Sequence, residues 1–199
     1  MGYIGKFPTP QPLTATDIPD LPATKITSGT FPALNGSNLT NISAGKILQV
    51  KQTVKTSQFS STSTSATDIT GMSVSITPAS SSNKIYCYVS TYVGHDTSDR
   101  VIALYLYRDS TLLYIGDANG SMTRVSGGIH TVHGTSQQNA TYYSGISFLD
   151  SPSSSSSLTY KIMGNCNNGT FTVNRAGDSY TGNERLSHSS SITVMEVSA

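Results

Sequence analysis

The feature that most constrains what this chain can fold into is the period-two alternation of "KIYCYVSTYV" (84–93) and "VIALYLYR" (101–108). Successive side chains of a strand leave opposite faces, so such alternation specifies a strand with two unlike sides. In the first segment Ile85, Cys87, Val89 and Val93 share one side, and Tyr86, Tyr88 and Tyr92 take the other. In the second, Ile102, Leu104 and Leu106 lie opposite Tyr105 and Tyr107. The texture begins at "KILQVKQTV" (46–54), where Ile47, Gln49, Lys51 and Thr53 oppose Leu48, Val50, Gln52 and Val54. Shorter candidates are "MSVSIT", stopped by Pro78, and "TLLYIGD", joined to the second segment through Asp109-Ser110 as a hairpin. "TYYSGISFLD" (141–150), "SLTYKIMG" (157–164), "GTFTV" (169–173) and "SITVMEV" (191–197) complete the set.

"SQFSSTSTSATD" and "SPSSSSS" are hydroxyl-rich loops between these strands. Ser, Thr, Asn and Gly favour caps and turns over long helices, and with 11 Tyr and no Trp they suit many short strands. The expectation for residues 46–199 is an all-β domain, an antiparallel jelly-roll-like sandwich large enough to bury its own core. Its first and last strands pair close to where the N-terminal segment leaves.

Residues 1–45 have another character. They hold six of the eight prolines, which excludes continuous helix and central-strand pairing. Ile18, Ile26, Leu34 and Ile42 lie eight residues apart, with Leu21, Phe31 and Leu39 between them, the pattern of a chain that returns to a shared axis. Ordering so long a stretch costs more backbone entropy than these few side chains return on burial. The segment is therefore either disordered or held by other chains, and the regular spacing favours the second. The predicted boundary falls between a 1–45 arm with a short shaft and a 46–199 domain.

A net charge of +1 with no basic stripe argues against nucleic acid as a partner. No run of 18 apolar residues exists to insert a helix in a membrane, and "MGYIGKFPTP" lacks the charged and apolar regions of a signal peptide. The N-x-S/T sequons at Asn35, Asn38, Asn41, Asn119, Asn139 and Asn168 are what such a composition produces, and none is expected to be glycosylated. Cys87 and Cys166 are expected as buried reduced thiols rather than a disulfide.

No catalytic constellation is legible, and the expectation is a non-enzyme without metal or cofactor. There is no G-x-S-x-G elbow. "GNCNNGT" (164–170) has the glycine spacing of a phosphate loop but no lysine, and a turn between strands explains it better. "DANG" (117–120) is a hairpin turn rather than a calcium loop, and with only Glu184 and Glu196 present, paired-carboxylate chemistry would rest on aspartates. His130 and His133 form a metal-like pair that chelates only in a loop, and His95, Asp96 and Asp99 cluster near a strand end. A threefold assembly could gather copies of one such histidine around an ion, but exposed loop histidines are the default.

Loops far from an anchored N-terminus are the ones free to meet another surface. "GHDTSD" (94–99), "GGIHTVHGTSQQNAT" (127–141) and "RAGDSYTGNERLSH" (175–188) are rich in groups that hydrogen-bond sugars. They supply the receptor-binding candidates His95, Asp96, Asp99, His130, His133, Gln137, Gln138, Asn139, Asp178, Tyr180 and Asn183. The serine runs at 60–65 and 153–157 offer fewer anchors and more entropy to lose. The tyrosine face of two strands taken to be neighbours is one a monomer does not leave to water, and it reads as a subunit interface or a ligand surface.

"DLPATKITSGTFPALNGSNLTNI" is similar to the shaft segments of bacteriophage tail-fibre and virion-fibre proteins, especially those of marine and cyanobacterial phages. "GKILQVKQTVKTSQFSSTSTSATDITGMSVSITPASSSNKI", "SGISFLDSPSSSS" and "SSITVMEV" resemble the head domain that follows such shafts, and "MGYIGKFP" resembles their start. The resemblance implies a homotrimer on the virion: an anchoring peptide that joins another virion protein, a short intertwined shaft, and a knob that binds a host glycan or protein. The trimer-interface candidates are then Ile18, Ile26, Phe31, Leu34, Leu39 and Ile42 in the shaft, with Tyr86, Tyr88, Tyr92, Tyr105 and Tyr107 in the knob. Typical tail fibres are much longer than this arm and shaft. That departure keeps open a capsid decoration protein, or head fibre, beside the short adhesive spike; a polysaccharide depolymerase has little support.

Overall fold

The computed structural model describes residues 46–132 and 137–199. Their strands are β1 (Ile47–Lys55), β2 (Phe59–Ser61), β3 (Thr67–Ile76), β4 (Lys84–His95), β5 (Val101–Arg108) and β6 (Thr111–Leu113). β7 (Gly127–His130), β8 (Tyr142–Asp150), β9 (Leu158–Cys166), β10 (Phe171–Val173) and β11 (Ser190–Val197) follow. Among the described residues the helical content is one 3-10 turn, Gln137–Asn139.

Two antiparallel sheets result. In the first, β11 lies between β1 and β4, and β8 covers the other edge of β4. The short β10 continues alongside the last residues of β4, and β2 pairs with β10. In the second sheet β9 lies between β3 and β5, and β6 and β7 both pair with the remaining edge of β5.

Alternation builds the layers as expected. Ile85, Cys87, Val89 and Val93 of β4 face inward, and so do Leu158, Tyr160, Ile162 and Cys166 of β9. They join Ile69, Met72, Ile76, Leu104, Leu106, Ile146, Ile192 and Val194 in one core shared by both sheets. Cys87 and Cys166 are both buried free thiols, and burial pushes each thiol upward from its ordinary value. Buried charge is admitted only with partners. Asp150 receives the Tyr160 hydroxyl at 2.7 Å and an Arg108 N–H. Glu196, fully buried, accepts from Gln49 and Asn83 side-chain amides at 2.6 Å each and from the Ala79 N–H at 2.7 Å.

Four features depart from the sequence expectation. β2 lies inside the hydroxyl-rich loop and β7 inside the 127–141 connection; a single Phe and a Gly-Gly pair carry no alternation, and their pairing is supplied by neighbours. β6 stops at Leu113, where Tyr114 takes a positive φ of 50°. β3 starts earlier, at Thr67, through an irregularity between Asp68 and Ser73 that contains Gly71. The sides of β1 are inverted relative to a simple binary pattern. Lys51 pairs with the core residue Val194, while Val50 and Val54 turn outward and are 52% and 53% exposed.

Pairing registers set the two poles. Lys46, the 77–83 loop, the Asp109-Ser110 turn, the 151–157 serine run and the C-terminus share one pole. The Lys46 N–H donates to Ser198 Oγ at 3.1 Å, so the first and last strands pair where the N-terminal segment leaves. Connections 96–100, 167–170 and 174–189, and the described ends of 131–141, lie at the opposite pole.

Candidate functional site

The opposite pole is organised by the 174–189 return between β10 and β11. Asn174, fully buried at φ +67°, donates through Nδ2 to the carbonyls of Lys55 and Ser57 at 2.8 and 3.0 Å and accepts from Ser190 Oγ at 2.6 Å. Gly177 is a wedge: a Cβ there would lie 1.9 Å from the His95 carbonyl carbon, so a side chain would push the return off β4. The Asp178 N–H reaches the Gln138 carbonyl at 3.0 Å, which brings two of the sequence-predicted loops together. Arg185 Nε and Nη2 donate to Asp178 Oδ2 at 2.9 and 2.6 Å, and the carboxylate raises the guanidinium above its ordinary value. The same guanidinium lies 5.0 Å from the Tyr180 ring centroid. Gln58, Arg175, Asp178, Tyr180, Arg185 and Leu186 line a cavity of about 140 Å³ here.

His95 corrects the sequence reading. It is fully buried, its Nε2 donates to the Asn168 carbonyl at 2.7 Å and its Nδ1 accepts from the Thr97 N–H at 3.0 Å. With both ring nitrogens engaged, it braces the turn and has nothing left for a receptor. Asp96 also works locally. Burial opposes its ionisation, but the Thr170 N–H and the Thr97 hydroxyl hold its carboxyl below the usual range. Gly169 (φ +72°) packs so close that a Cβ would sit 2.5 Å from Asp96 Oδ1.

Asp99 and His130 are half-exposed and lie 3.5 Å apart. Asn139 and Asn183 are exposed and Gln138 half-buried, and Tyr180 is 53% exposed. His133 and the shaft candidates Ile18, Ile26, Phe31, Leu34, Leu39 and Ile42 lie outside the described residues, as does the Gln137 side chain. Among the described residues no three His, Cys, Asp or Glu side chains gather as metal ligands.

The five knob tyrosines do not form one face. β4 and β5 belong to different sheets, so Tyr86, Tyr88 and Tyr92 look out from one side of the sandwich and Tyr105 and Tyr107 from the other. Alternation reveals that a strand has two sides but not which strands are neighbours. On the first sheet, paired residues form outward rows: Val50, Met195, Tyr86 and Leu149; Gln52, Thr193, Tyr88 and Ser147; Val54, Ser191, Ser90 and Gly145; then Tyr92 and Tyr143. None of these residues is charged. Tyr88 and Tyr143 share a 3.2 Å hydroxyl contact, which raises the Tyr88 phenol above its ordinary value. Tyr143 sets its edge on Tyr92 at 5.5 Å, and His188 stacks on Tyr92 at 4.2 Å. The sequence reading had named neither Tyr143 nor Arg185, Asn174 or His188; their roles depend on which loops and strands meet.

No protein-family model matches the chain, and no curated protein does. Among solved structures, one titled "Structure of infectious bursal disease virus Gx strain" aligns with a TM-score of 0.34 and 15% sequence identity, covering 84% of this chain and 45% of that one.

Proposed function

We propose that the chain is a non-enzymatic structural protein of a bacteriophage virion, a short trimeric fibre or spike that presents its β-sandwich for attachment to a host surface. The observation that carries it is polarity: the N-terminal segment joins at one pole, while the varied polar loops 96–100, 137–141 and 174–189 gather at the other. A knob carried on a stalk needs that arrangement. The strand order supports a jelly-roll reading. With the short strands folded into their neighbours, β1-β11-β4-β8 faces β3-β9-β5-β7, and the chain crosses between layers repeatedly, from β2 through β5 and again from β7 through β10. The stripe Ile18, Ile26, Leu34 and Ile42 supplies the seam that joins three copies, and residues 1–45 join another virion protein.

The test has two arms. Light scattering of the full chain is expected at about three times 21.0 kDa; a monodisperse monomer refutes the trimer. Replacing 178–186 by a Gly/Ser loop is expected to lower adsorption to host cells with the assembly intact. Unchanged adsorption favours a capsid decoration role instead.

A further inference from the structure

The outward rows of the first sheet are uncharged where a solvated sheet would carry charge, and aliphatic and aromatic side chains stand among their hydroxyls. Val50, Val54, Tyr88, Tyr143 and Leu149 are each between 41% and 53% exposed. A contiguous face of this kind marks a protein contact rather than a water-facing wall. What covers it is indicated by the chain that leads into it. The arm's stripe recurs at 18, 26, 34 and 42, and eight residues further on stands Val50; the second series, Phe31 and Leu39, continues to Ile47. Ile47 and Val50 are outward residues of β1, 59% and 52% exposed. The period therefore does not stop at the domain boundary, and it takes in two of the exposed aliphatic side chains of β1, Ile47 and Val50.

We infer that the outward face of β1, β11, β4 and β8 packs against a second copy of this chain. The inference rests on the assembly reading above and adds to it a contact within 46–199. A copy of the same face suits it well: neither surface has to strip water from an unpaired charge there, and tyrosine rings supply area with hydroxyls that pair locally. Lys84, beside Val197 at the pole end, marks the edge of the uncharged region.

The experiment uses single cysteines in the full chain, since Cys87 and Cys166 are buried. Val50→Cys, and separately Leu149→Cys, report on this face. Ser73→Cys reports on the exposed outer side of β3 in the other sheet. Oligomeric state and maleimide labelling rates are measured on the same samples. An oligomer in which Val50→Cys and Leu149→Cys label about tenfold more slowly than Ser73→Cys supports the inference. An oligomer in which all three label alike overturns the inference and leaves the assembly reading standing. A monomer overturns both.

Discussion

The two outer faces of the sandwich are built from the same tyrosine-rich alternation and end differently. On the second sheet the outward residues carry charge and saturate it: Lys161 Nζ lies 2.8 Å from Asp68 Oδ1, Tyr105 bonds toward Asn165, and Ser75 pairs with Thr159 at 3.0 Å. On the first sheet charge points inward, where Glu196 is held by its ring of donors, and the outward rows between the poles hold none. One face is finished for water. The other leaves half-exposed aliphatic and aromatic side chains whose burial a partner would complete. Aromatic content alone does not separate an interface from a surface; the placement of charge does.

The sharpest way to break this comparison is to charge one face at a time. Tyr88→Lys with Leu149→Lys is expected to weaken self-association by roughly thirty-fold or more, as loss of aromatic contacts at a desolvated centre does. Tyr105→Lys on the opposite face leaves sedimentation of the full chain unchanged. Equal effects from both substitutions would erase the distinction.

A smaller effect tests the inward charge of the first sheet. Burial disfavours ionised Glu196, but bonds from Gln49, Asn83 and the N–H groups of Ala79 and Ser80 outweigh it and hold the carboxyl below its ordinary 4.5. A carboxyl depressed in the folded state contributes stability above the unfolded value, and that contribution fades as pH falls through the folded one. Thermal melts are therefore expected to lose stability below about pH 4.5. Glu196→Gln is expected to cost about 1–3 kcal/mol near neutrality and to flatten the acid limb. An unchanged acid limb in that variant would remove Glu196 as its source. The smallest effect lies on the second sheet: Lys161→Ala breaks an exposed ion pair and is expected to shift stability by less than about 1 kcal/mol in denaturant melts.

The long strands were legible because each buries one side and alternates over eight or more residues, as β4, β5 and β9 do. β2 and β7 were not legible, since three or four residues of Phe-Ser-Ser or Gly-Gly-Ile-His hold no period of their own. Of the polar candidates, the sequence named the loops without placing them at a pole, and it did not reveal the role of His95. A histidine in a short polar run looks the same whether it faces solvent or braces a turn, and only the approach of Gly177, Asn168 and Thr97 decides.

The sequence by itself determined that residues 46–199 form strands, where most of them lie, and that each presents two unlike sides. Those properties are local, set by neighbours one and two positions apart. Only the tertiary structure decided that Tyr88 and Tyr105 look in opposite directions, that Val50 faces out rather than into the core, and that Asp178 meets Arg185 close to Tyr180. Such facts depend on which strands pair and in what register, and pairing is settled by packing among residues far apart in the chain.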